Sequence, residues 1–226
     1  MANYVLVHGA WGGALTWGEV PARLEAAGHK VLVATLPGLG SRQAELHPGI
    51  TLTDHIDAVC DQIAAAGFER FILAGHSYGG MVITGVAAAR AAQIRTLVYL
   101  DAFLPQNGEA LWDLADEGTR AFYIDAQRDT PGLVQPTFAR NNQPKRPLTG
   151  HPLLTLLEPV KAPAADAIRN RTYIYATVGA PTIFTQFYDR VRADPAWRVR
   201  EIATGHVVMW DDPEGLLALL LGEAER

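Results

Sequence analysis

Cysteine is almost absent from the 226-residue sequence, in which Cys60 is the single example. This excludes an intrachain disulfide and a zinc site built from several thiolates, and it favours a reducing compartment. The sequence has no run of about 18 consecutive apolar residues, so we expect no membrane span. Since no basic segment precedes the first apolar run, we expect no export signal and a cytoplasmic location.

Clustered positive charge is also lacking. The formal net charge is −5, and the 19 lysine and arginine residues are scattered along the chain. Proteins that bind nucleic acid usually carry a basic patch or stripe, so we expect no nucleic-acid partner. A small, uncharged or mildly polar molecule is the better candidate for a ligand. Nothing in the sequence excludes a homodimer.

Short apolar runs alternate with helical patterns along much of the chain. The runs are continuous, which is typical of parallel strands that are buried on both faces. Strands are predicted at 4–8, 30–34, 71–74, 96–100, 172–176 and 198–202. Helices are predicted at 16–28, at 53–67, from residue 79 onward and at 213–224. This order predicts a single α/β domain, residues 1–226, with an open, mostly parallel six-stranded sheet and helices on both faces.

The segment 103–170 lacks this periodicity and is rich in proline. A long irregular stretch inside a compact domain is usually either functional or disordered. Its aromatic residues favour an ordered lid over a pocket. We therefore predict a small inserted cap at 103–170. Trp112 within it is a candidate contact for an apolar group of the substrate, and it is equally consistent with a position in the core of the lid.

The sequence Gly75-His76-Ser77-Tyr78-Gly79 matches the pattern G-x-S-x-G of a nucleophile elbow. It follows a predicted strand and precedes a helix of small residues, as this motif requires. The sharp turn strains the backbone, and the flanking glycines relieve the crowding. Ser77 is therefore the predicted nucleophile, placed near a helix N-terminus that stabilises negative charge.

Two main-chain amides are the expected donors to the oxyanion of a tetrahedral intermediate. One is the amide of Tyr78, directly after the nucleophile, and the other is that of Ala10 in the loop after the first strand. In that loop Gly9 allows a close approach to the elbow, and His8 can hold the loop through side-chain hydrogen bonds. Trp11 is equally consistent with a core position and with a place in the pocket wall.

Chain order in this type of site is serine, then acid, then base, so the base must follow the last strand. Only His151 and His206 come after Ser77. His206 lies in a short loop between the last predicted strand and the final helix, and it is the predicted base. His151 lies in the proline-rich segment and is interpreted as a lid residue.

The acid is not at its usual place. The residues after the strand 172–176 are Thr177-Val178-Gly179-Ala180, and none of them is a carboxylate. Asp101 ends the preceding strand, and it is the predicted acid because an imidazole base needs a buried acceptor to fix its tautomer. A turn-capping role for Asp101 stays open as the alternative. The other candidate acids are Asp189, Asp194 and Asp211.

Taken together, these residues resemble the α/β-hydrolase superfamily, in particular the branch of plant methylesterases and hydroxynitrile lyases with its bacterial esterase relatives. The resemblance extends over nearly the whole chain except the predicted cap. It is carried by Val5-Leu6-Val7-His8-Gly9-Ala10-Trp11, Glu25-Ala26-Ala27-Gly28-His29-Lys30-Val31, the elbow, Asp101-Ala102-Phe103-Leu104-Pro105, Arg171-Thr172-Tyr173-Ile174 and Gly205-His206.

The resemblance implies Ser77 as nucleophile, His206 as base and the amides of Ala10 and Tyr78 as oxyanion donors. It also implies an acid near Gly179, from which this sequence departs. Some related dehalogenases and lactonases carry their acid where Asp101 stands, so the resemblance allows this relocation.

The predicted function is a serine hydrolase of the carboxylesterase or lactonase type that cleaves a small, largely apolar molecule and needs no cofactor or metal. Hydroxynitrile lyases of this branch have a lysine after the catalytic histidine, where this sequence has Val207. Dehalogenases and epoxide hydrolases use a carboxylate at the position of Ser77, which excludes them. Carbon–carbon bond hydrolysis, cofactor-free haloperoxidase activity and a small-molecule receptor with a vestigial triad remain as alternatives.

Overall fold

The computed structural model describes residues 1–138, 147–163 and 168–225. Its strands are β1 (Asn3–Val7), β2 (Lys30–Ala34), β3 (Phe71–Ser77), β4 (Ile94–Ala102), β5 (Leu133–Val134), β6 (His151–Pro152), β7 (Arg171–Ala176) and β8 (Trp197–Ile202). Its α-helices are α1 (Val20–Ala26), α2 (Leu52–Ala65), α3 (Gly79–Arg90), α4 (Leu111–Leu114), α5 (Glu117–Asp125), α6 (Leu154–Leu157), α7 (Thr185–Val191), α8 (Val208–Asp211) and α9 (Pro213–Ala224). Short 3-10 helices lie at Ala14–Trp17, Gly40–Glu45 and Ala91–Gln93.

Six strands form the main sheet in the order β2-β1-β3-β4-β7-β8, and every neighbouring pair is parallel. The sheet and the six predicted strands are confirmed, with bounds that differ by at most three residues. The strand β3, which carries the serine of the elbow motif, lies in the interior of the sheet between β1 and β4. Since all six strands run in the same direction, their carboxyl ends meet at one edge, where ligands bind in open α/β sheets.

Helices cover both faces of the sheet because successive strand side chains point to opposite sides. In β1, Val5 and Val7 belong to one core cluster, which also includes residues of α2 and α3. Tyr4 and Leu6 belong to the other cluster, which is packed with residues of α1 and α9. The continuous apolar pattern of the strands therefore reflects burial on both faces.

The first predicted helix differs from the structure. Instead of one helix over 16–28 there is a 3-10 helix at Ala14–Trp17 and then α1 at Val20–Ala26. Gly18 separates them with a φ of 55°, a left-handed conformation that no helix interior accepts. Pro21 at the start of α1 then favours a new first turn, because proline lacks the N–H that an interior position would need.

Residues 103–170, called the insert below, connect β4 to β7. Of their described part, α4, α5 and α6 pack on the same face of the sheet as α2, and β5 pairs with β6 as a small antiparallel ribbon. Residues 139–146 and 164–167 of the predicted cap lie outside the described residues. In the part of the chain that the structure describes, no helix combines the length and apolar character needed to cross a membrane.

Candidate active site

Ser77 occupies a strained turn between β3 and α3, with a φ of 56°. Such a positive φ is uncommon for a residue other than glycine and is a feature of functional sites. The neighbouring glycines make the turn possible. A Cβ on Gly75 would lie 2.7 Å from the carbonyl oxygen of Gly79, and one on Gly79 would lie 2.8 Å from that of Val7.

The loop after β1 packs directly on this turn. A Cβ on Gly9 would lie 2.9 Å from the Cβ of Ser77, so only glycine allows the observed approach. His8 is fully buried, and its Nδ1 donates to the carbonyl of Gly9 at 2.8 Å while Nε2 accepts from the amide of Leu36 at 3.3 Å. Burial lowers the pKa of His8 to about 4, so the ring is neutral near pH 7. As expected from the sequence, His8 holds this loop in place.

Asp101 and His206 lie in direct contact. The ring Nδ1 of His206 is 2.7 Å from Oδ2 of Asp101. Asp101 is buried, and its Oδ1 accepts a hydrogen bond from the amide of Ala176 at 3.3 Å. Because both carboxylate oxygens accept hydrogen bonds, the proton of the neutral imidazole is held on Nδ1 and Nε2 keeps its lone pair.

Asp101 reaches His206 from an irregularity in β4. His76 pairs with Leu100 and Ser77 pairs with Ala102, so Asp101 is an extra residue between two paired ones. Its φ is 40°, in the left-handed region that aspartate adopts more readily than most residues. A bulge of this kind redirects a side chain, and bulges are common beside active sites.

Besides Asp101, the residues His76 and Phe184 contact His206. His76, which precedes the serine, donates from Nε2 to the main-chain oxygen of His206 at 2.8 Å. The ring of Phe184 stacks on that of His206, with centroids 4.7 Å apart and planes 10° from parallel. Sequence reasoning did not single out Phe184, which lies in the loop before α7. Its one signal in the sequence was an aromatic residue in the connection that follows the predicted strand 172–176.

The other candidate acids have different partners. Asp189 forms an ion pair with Arg192 at 3.1 Å on the surface of α7. Asp194 accepts from the amide of Ala196 at 2.8 Å. Asp211 accepts from the amide of Gly205 at 3.0 Å, so it braces the loop of His206 through the main chain and not through the ring.

A cavity of about 100 Å³ opens at this edge of the sheet. Ser77, His206 and Ala10 line it together with Trp11 and Val207. Phe138 and Leu148 of the insert also line it.

Of the two predicted substrate contacts, Trp11 lines this cavity. Its φ is 61°, and its indole Nε1 donates to the carbonyl of Val134 in the insert at 2.8 Å. Trp112 is half-buried beside the guanidinium of Arg120, and it is not among the described residues that form the cavity wall. The structure therefore brings Trp11 to the cavity and leaves Trp112 outside it.

The described residues contain no group of three or more histidine, cysteine, aspartate or glutamate side chains placed to hold a metal ion. Three buried histidines do lie near one another, His8, His55 and His151. Each of them binds protein groups through its ring nitrogens.

Comparison with known proteins identifies the family. The family model described as "Alpha/beta hydrolase family" matches residues 4–219. The chain belongs to this family. The carbendazim hydrolyzing esterase of Nocardioides sp. (strain SG-4G) is 38% identical, over 96% of this chain and 97% of the relative. Methylesterase 7 of Arabidopsis thaliana is 28% identical, over 99% of this chain and 96% of the relative.

Among solved structures, an extracellular α/β-hydrolase from a Paenibacillus species superimposes with a TM-score of 0.82 at 22% sequence identity, covering 99% of both chains. That protein is described as sharing structural and functional homology with tobacco salicylic acid binding protein 2. The α/β-hydrolase fold predicted from the sequence is confirmed. With near-full-length relatives that are esterases, the chain is an esterase-type hydrolase.

Proposed function

We propose that this α/β-hydrolase is a serine esterase that cleaves a carboxylic ester or lactone of a small, largely apolar molecule through an acyl-enzyme. The observation that carries the proposal is the 2.7 Å contact between Asp101 and His206, beside the cavity that His206 shares with Ser77. A serine on a strained turn, an imidazole and a buried carboxylate in this arrangement supply a nucleophile, a base and an orienting acceptor.

In the first half of the reaction, Nε2 of His206 takes the proton of Ser77 as Oγ attacks the carbonyl carbon. Asp101 accepts the Nδ1–H and stabilises the imidazolium. The amides of Ala10 and Tyr78 donate to the oxyanion, and the N-terminus of α3 adds favourable potential. When the tetrahedral intermediate collapses, the C–O bond to the alcohol breaks and the alcohol takes the proton from His206.

In the second half, His206 removes a proton from water as the water oxygen attacks the acyl-enzyme. The same two amides hold the second oxyanion. Collapse releases the carboxylic acid, and the proton returns from His206 to Oγ of Ser77. For a lactone the alcohol and acid remain parts of one product.

The cavity supports a small group next to the nucleophile. Its volume of about 100 Å³ accommodates a few non-hydrogen atoms, and Trp11, Phe138 and Leu148 make its wall largely apolar. Val207 contributes another apolar side chain at the position after the base. Phe138 and Leu148 belong to the insert, which supports the prediction that the insert covers the pocket. We therefore expect short acyl groups to be preferred over long ones.

A burst experiment with p-nitrophenyl acetate tests the acyl-enzyme. We expect about one equivalent of nitrophenol per chain in the burst, followed by slower turnover, and an acetyl group on Ser77 detected by peptide mass spectrometry. Ser77→Ala should remove both the burst and the turnover. Ser41 is the only other serine of the chain and lies exposed in the 3-10 helix Gly40–Glu45, so Ser41→Ala is the matched control and should keep both.

Turnover that survives in the Ser77→Ala variant would contradict the proposed nucleophile. A wild-type protein that binds small esters without releasing product would instead favour the receptor alternative. A series from acetyl to octanoyl esters then tests the size of the acyl site, with kcat/KM expected to fall as the chain lengthens.

A further inference from the structure

His151 is a fully buried polar residue that the proposed reaction does not use. It lies in β6 of the insert, yet its ring contacts residues from two other parts of the chain. One is Trp11, in the loop after β1, and the other is Tyr78, at the start of α3. Trp11 directly follows Ala10, whose amide is one proposed oxyanion donor. Tyr78 itself supplies the other.

The first contact is to the main chain of Trp11. Its amide donates to Nδ1 of His151 at 3.4 Å, which gives an acceptor to an N–H in a left-handed segment of the loop. The carbonyl oxygen of Trp11 accepts from the amide of Thr149 at 2.9 Å. The insert therefore holds the peptide groups on both sides of the Trp11 Cα, and the peptide that joins Ala10 to Trp11 is one of them.

The hydrogen bonds fix the tautomer of His151. An amide can only donate, so Nδ1 must be the acceptor and the ring proton must lie on Nε2. Nε2 is 2.8 Å from Oγ1 of Thr155, whose own hydroxyl donates to the carbonyl oxygen of Pro152 at 2.8 Å. Burial, together with the nearby His55 and His8, holds the pKa of His151 well below its ordinary value. The ring is thus neutral, and Nδ1 keeps the lone pair that Trp11 needs.

The second contact is to the side chain of Tyr78. The rings of His151 and Tyr78 pack edge to face, with centroids 4.6 Å apart and planes at 75°. The hydroxyl of Tyr78 donates to Nδ1 of His55 at 2.9 Å, and Nε2 of His55 donates to the carbonyl oxygen of Pro37 at 3.0 Å. Tyr78 is therefore clamped between His151 from the insert and His55 from α2.

We infer that His151 is a positioning residue that holds both halves of the oxyanion hole, one through the amide of Trp11 and the other through the ring of Tyr78. This inference rests on the proposed function, because it assigns His151 a role in stabilising the oxyanion. It also gives the insert a part in the chemistry besides covering the pocket. An oxyanion hole is effective only when its donors are held in place before the charge develops.

Three substitutions of His151 distinguish the contributions of its two ring hydrogen bonds. In His151→Asn the side-chain oxygen can take the place of Nδ1 and accept from Trp11. In His151→Gln the longer side chain reaches the position of Nε2 and Thr155, and it leaves Trp11 without its acceptor. His151→Leu removes both hydrogen bonds at similar volume. We expect kcat/KM to fall about 10- to 100-fold in the glutamine and leucine variants, and asparagine to restore most of the loss.

Inhibitor binding distinguishes positioning from a general loss of structure. The serine adds to the carbonyl carbon of a trifluoromethyl ketone, and the resulting adduct carries an oxyanion in the hole. The corresponding secondary alcohol fills the same pocket but forms no oxyanion. We expect the Ki of the ketone to rise by the same factor as kcat/KM falls, with the Ki of the alcohol changed less than about twofold. The thermal unfolding midpoint of each variant shows whether the substitution has changed the stability of the fold.

The inference is overturned if the glutamine and leucine variants keep their affinity for the ketone, or if alcohol and ketone weaken equally. Nitrogen-15 NMR of the wild type with labelled histidine tests the tautomer of His151 without any substitution. A proton on Nδ1 of His151 would also overturn the inference. If the wild type hydrolyses no ester, the proposed function fails, while ketone binding and the tautomer still test His151 separately.

Discussion

At the scale of single residues, Asp101 is suited to its proposed role because it can only accept hydrogen bonds. Its Oδ2 accepts from His206 and its Oδ1 from the amide of Ala176. An asparagine would have to present its NH2 group to one of these two donors. Turned toward His206, that group would force the ring proton onto Nε2, and the base would lose the lone pair it needs for the proton of Ser77.

Asp101→Asn should therefore lower kcat by a factor approaching about 10⁴ with a much smaller change in KM, as measured with a p-nitrophenyl ester. Asp211→Asn is the matched control. Asn keeps a side-chain oxygen that can accept from the amide of Gly205, so kcat should stay within about threefold of wild type. An Asp101 variant with nearly full activity, or an Asp211 variant with almost none, would contradict the assignment of the acid.

The residues of the site differ in how far the sequence alone could predict them. Ser77 is marked by a local motif, and His206 by its place after the last strand. Asp101 required reasoning by elimination, because the bulge that turns its side chain toward His206 leaves no pattern in the sequence. Phe184 and His151 were missed as parts of the site, since their contacts with His206 and Trp11 join segments that are distant along the chain.

At the scale of elements, the close packing of α3 on the sheet depends on glycine. Gly80 lies in the first turn of α3, and a Cβ there would lie 1.9 Å from the carbonyl oxygen of Phe103, just beyond β4. That oxygen is part of the main chain and cannot rotate away. The helix must therefore lack a side chain at position 80 for the turn that carries Ser77 to lie where it does.

Gly80→Ala should lower the free energy of unfolding by about 3 kcal/mol or more, because either α3 or the chain after β4 must move. Gly222→Ala in α9 is the matched control, since nothing lies within 4 Å of the added methyl group. Replacing glycine in a helix by alanine should raise stability there by about 0.5 kcal/mol. Urea unfolding of the two variants measures both changes, and equal effects would contradict the packing argument.

Strands and helices were the most predictable part of the molecule. Burial on both faces imposes a continuous apolar run on each parallel strand, and this pattern is visible residue by residue. Of the four predicted helices the first was the exception, because the break at Gly18 depends on a left-handed glycine inside an otherwise helical pattern. The helices α4 to α8 were not predicted. The ribbon of β5 and β6 was also not predicted. Each of its strands has two residues, which is too short for any periodicity to appear.

At the scale of the whole molecule, the buried histidines link stability to pH. Burial is the main cause that lowers the pKa of His8 to about 4 and that of His55 to about 3, and it holds that of His151 well below its ordinary value. In the unfolded chain these side chains titrate near pH 6.5, as free imidazoles do. Between about pH 4 and pH 6.5 the unfolded chain therefore binds protons that the folded chain excludes.

Because the unfolded state binds more protons in this window, the free energy of unfolding falls as the pH drops below about 6.5 and is nearly constant between about pH 7 and pH 8. With up to three protons excluded, we expect a slope of about 2–4 kcal/mol per pH unit near pH 5. Carboxylates whose pKa is lowered by hydrogen bonds to main-chain amides, such as Asp54 and Asp116, add a further loss only below about pH 4.

Urea unfolding at pH 7.5, 6.5, 5.5 and 5.0 measures this slope. His151→Asn removes one of the three titrating groups, so its slope near pH 5 should be about one third smaller than that of the wild type. Stability that stays constant from pH 7.5 to pH 5.0 would show that the three rings are protonated as easily in the folded chain as in the unfolded one. In that case Nδ1 of His151 would also lose the lone pair on which its hydrogen bond to Trp11 depends. The pH dependence of stability and the positioning of the loop after β1 therefore both depend on His151 staying neutral in the folded chain.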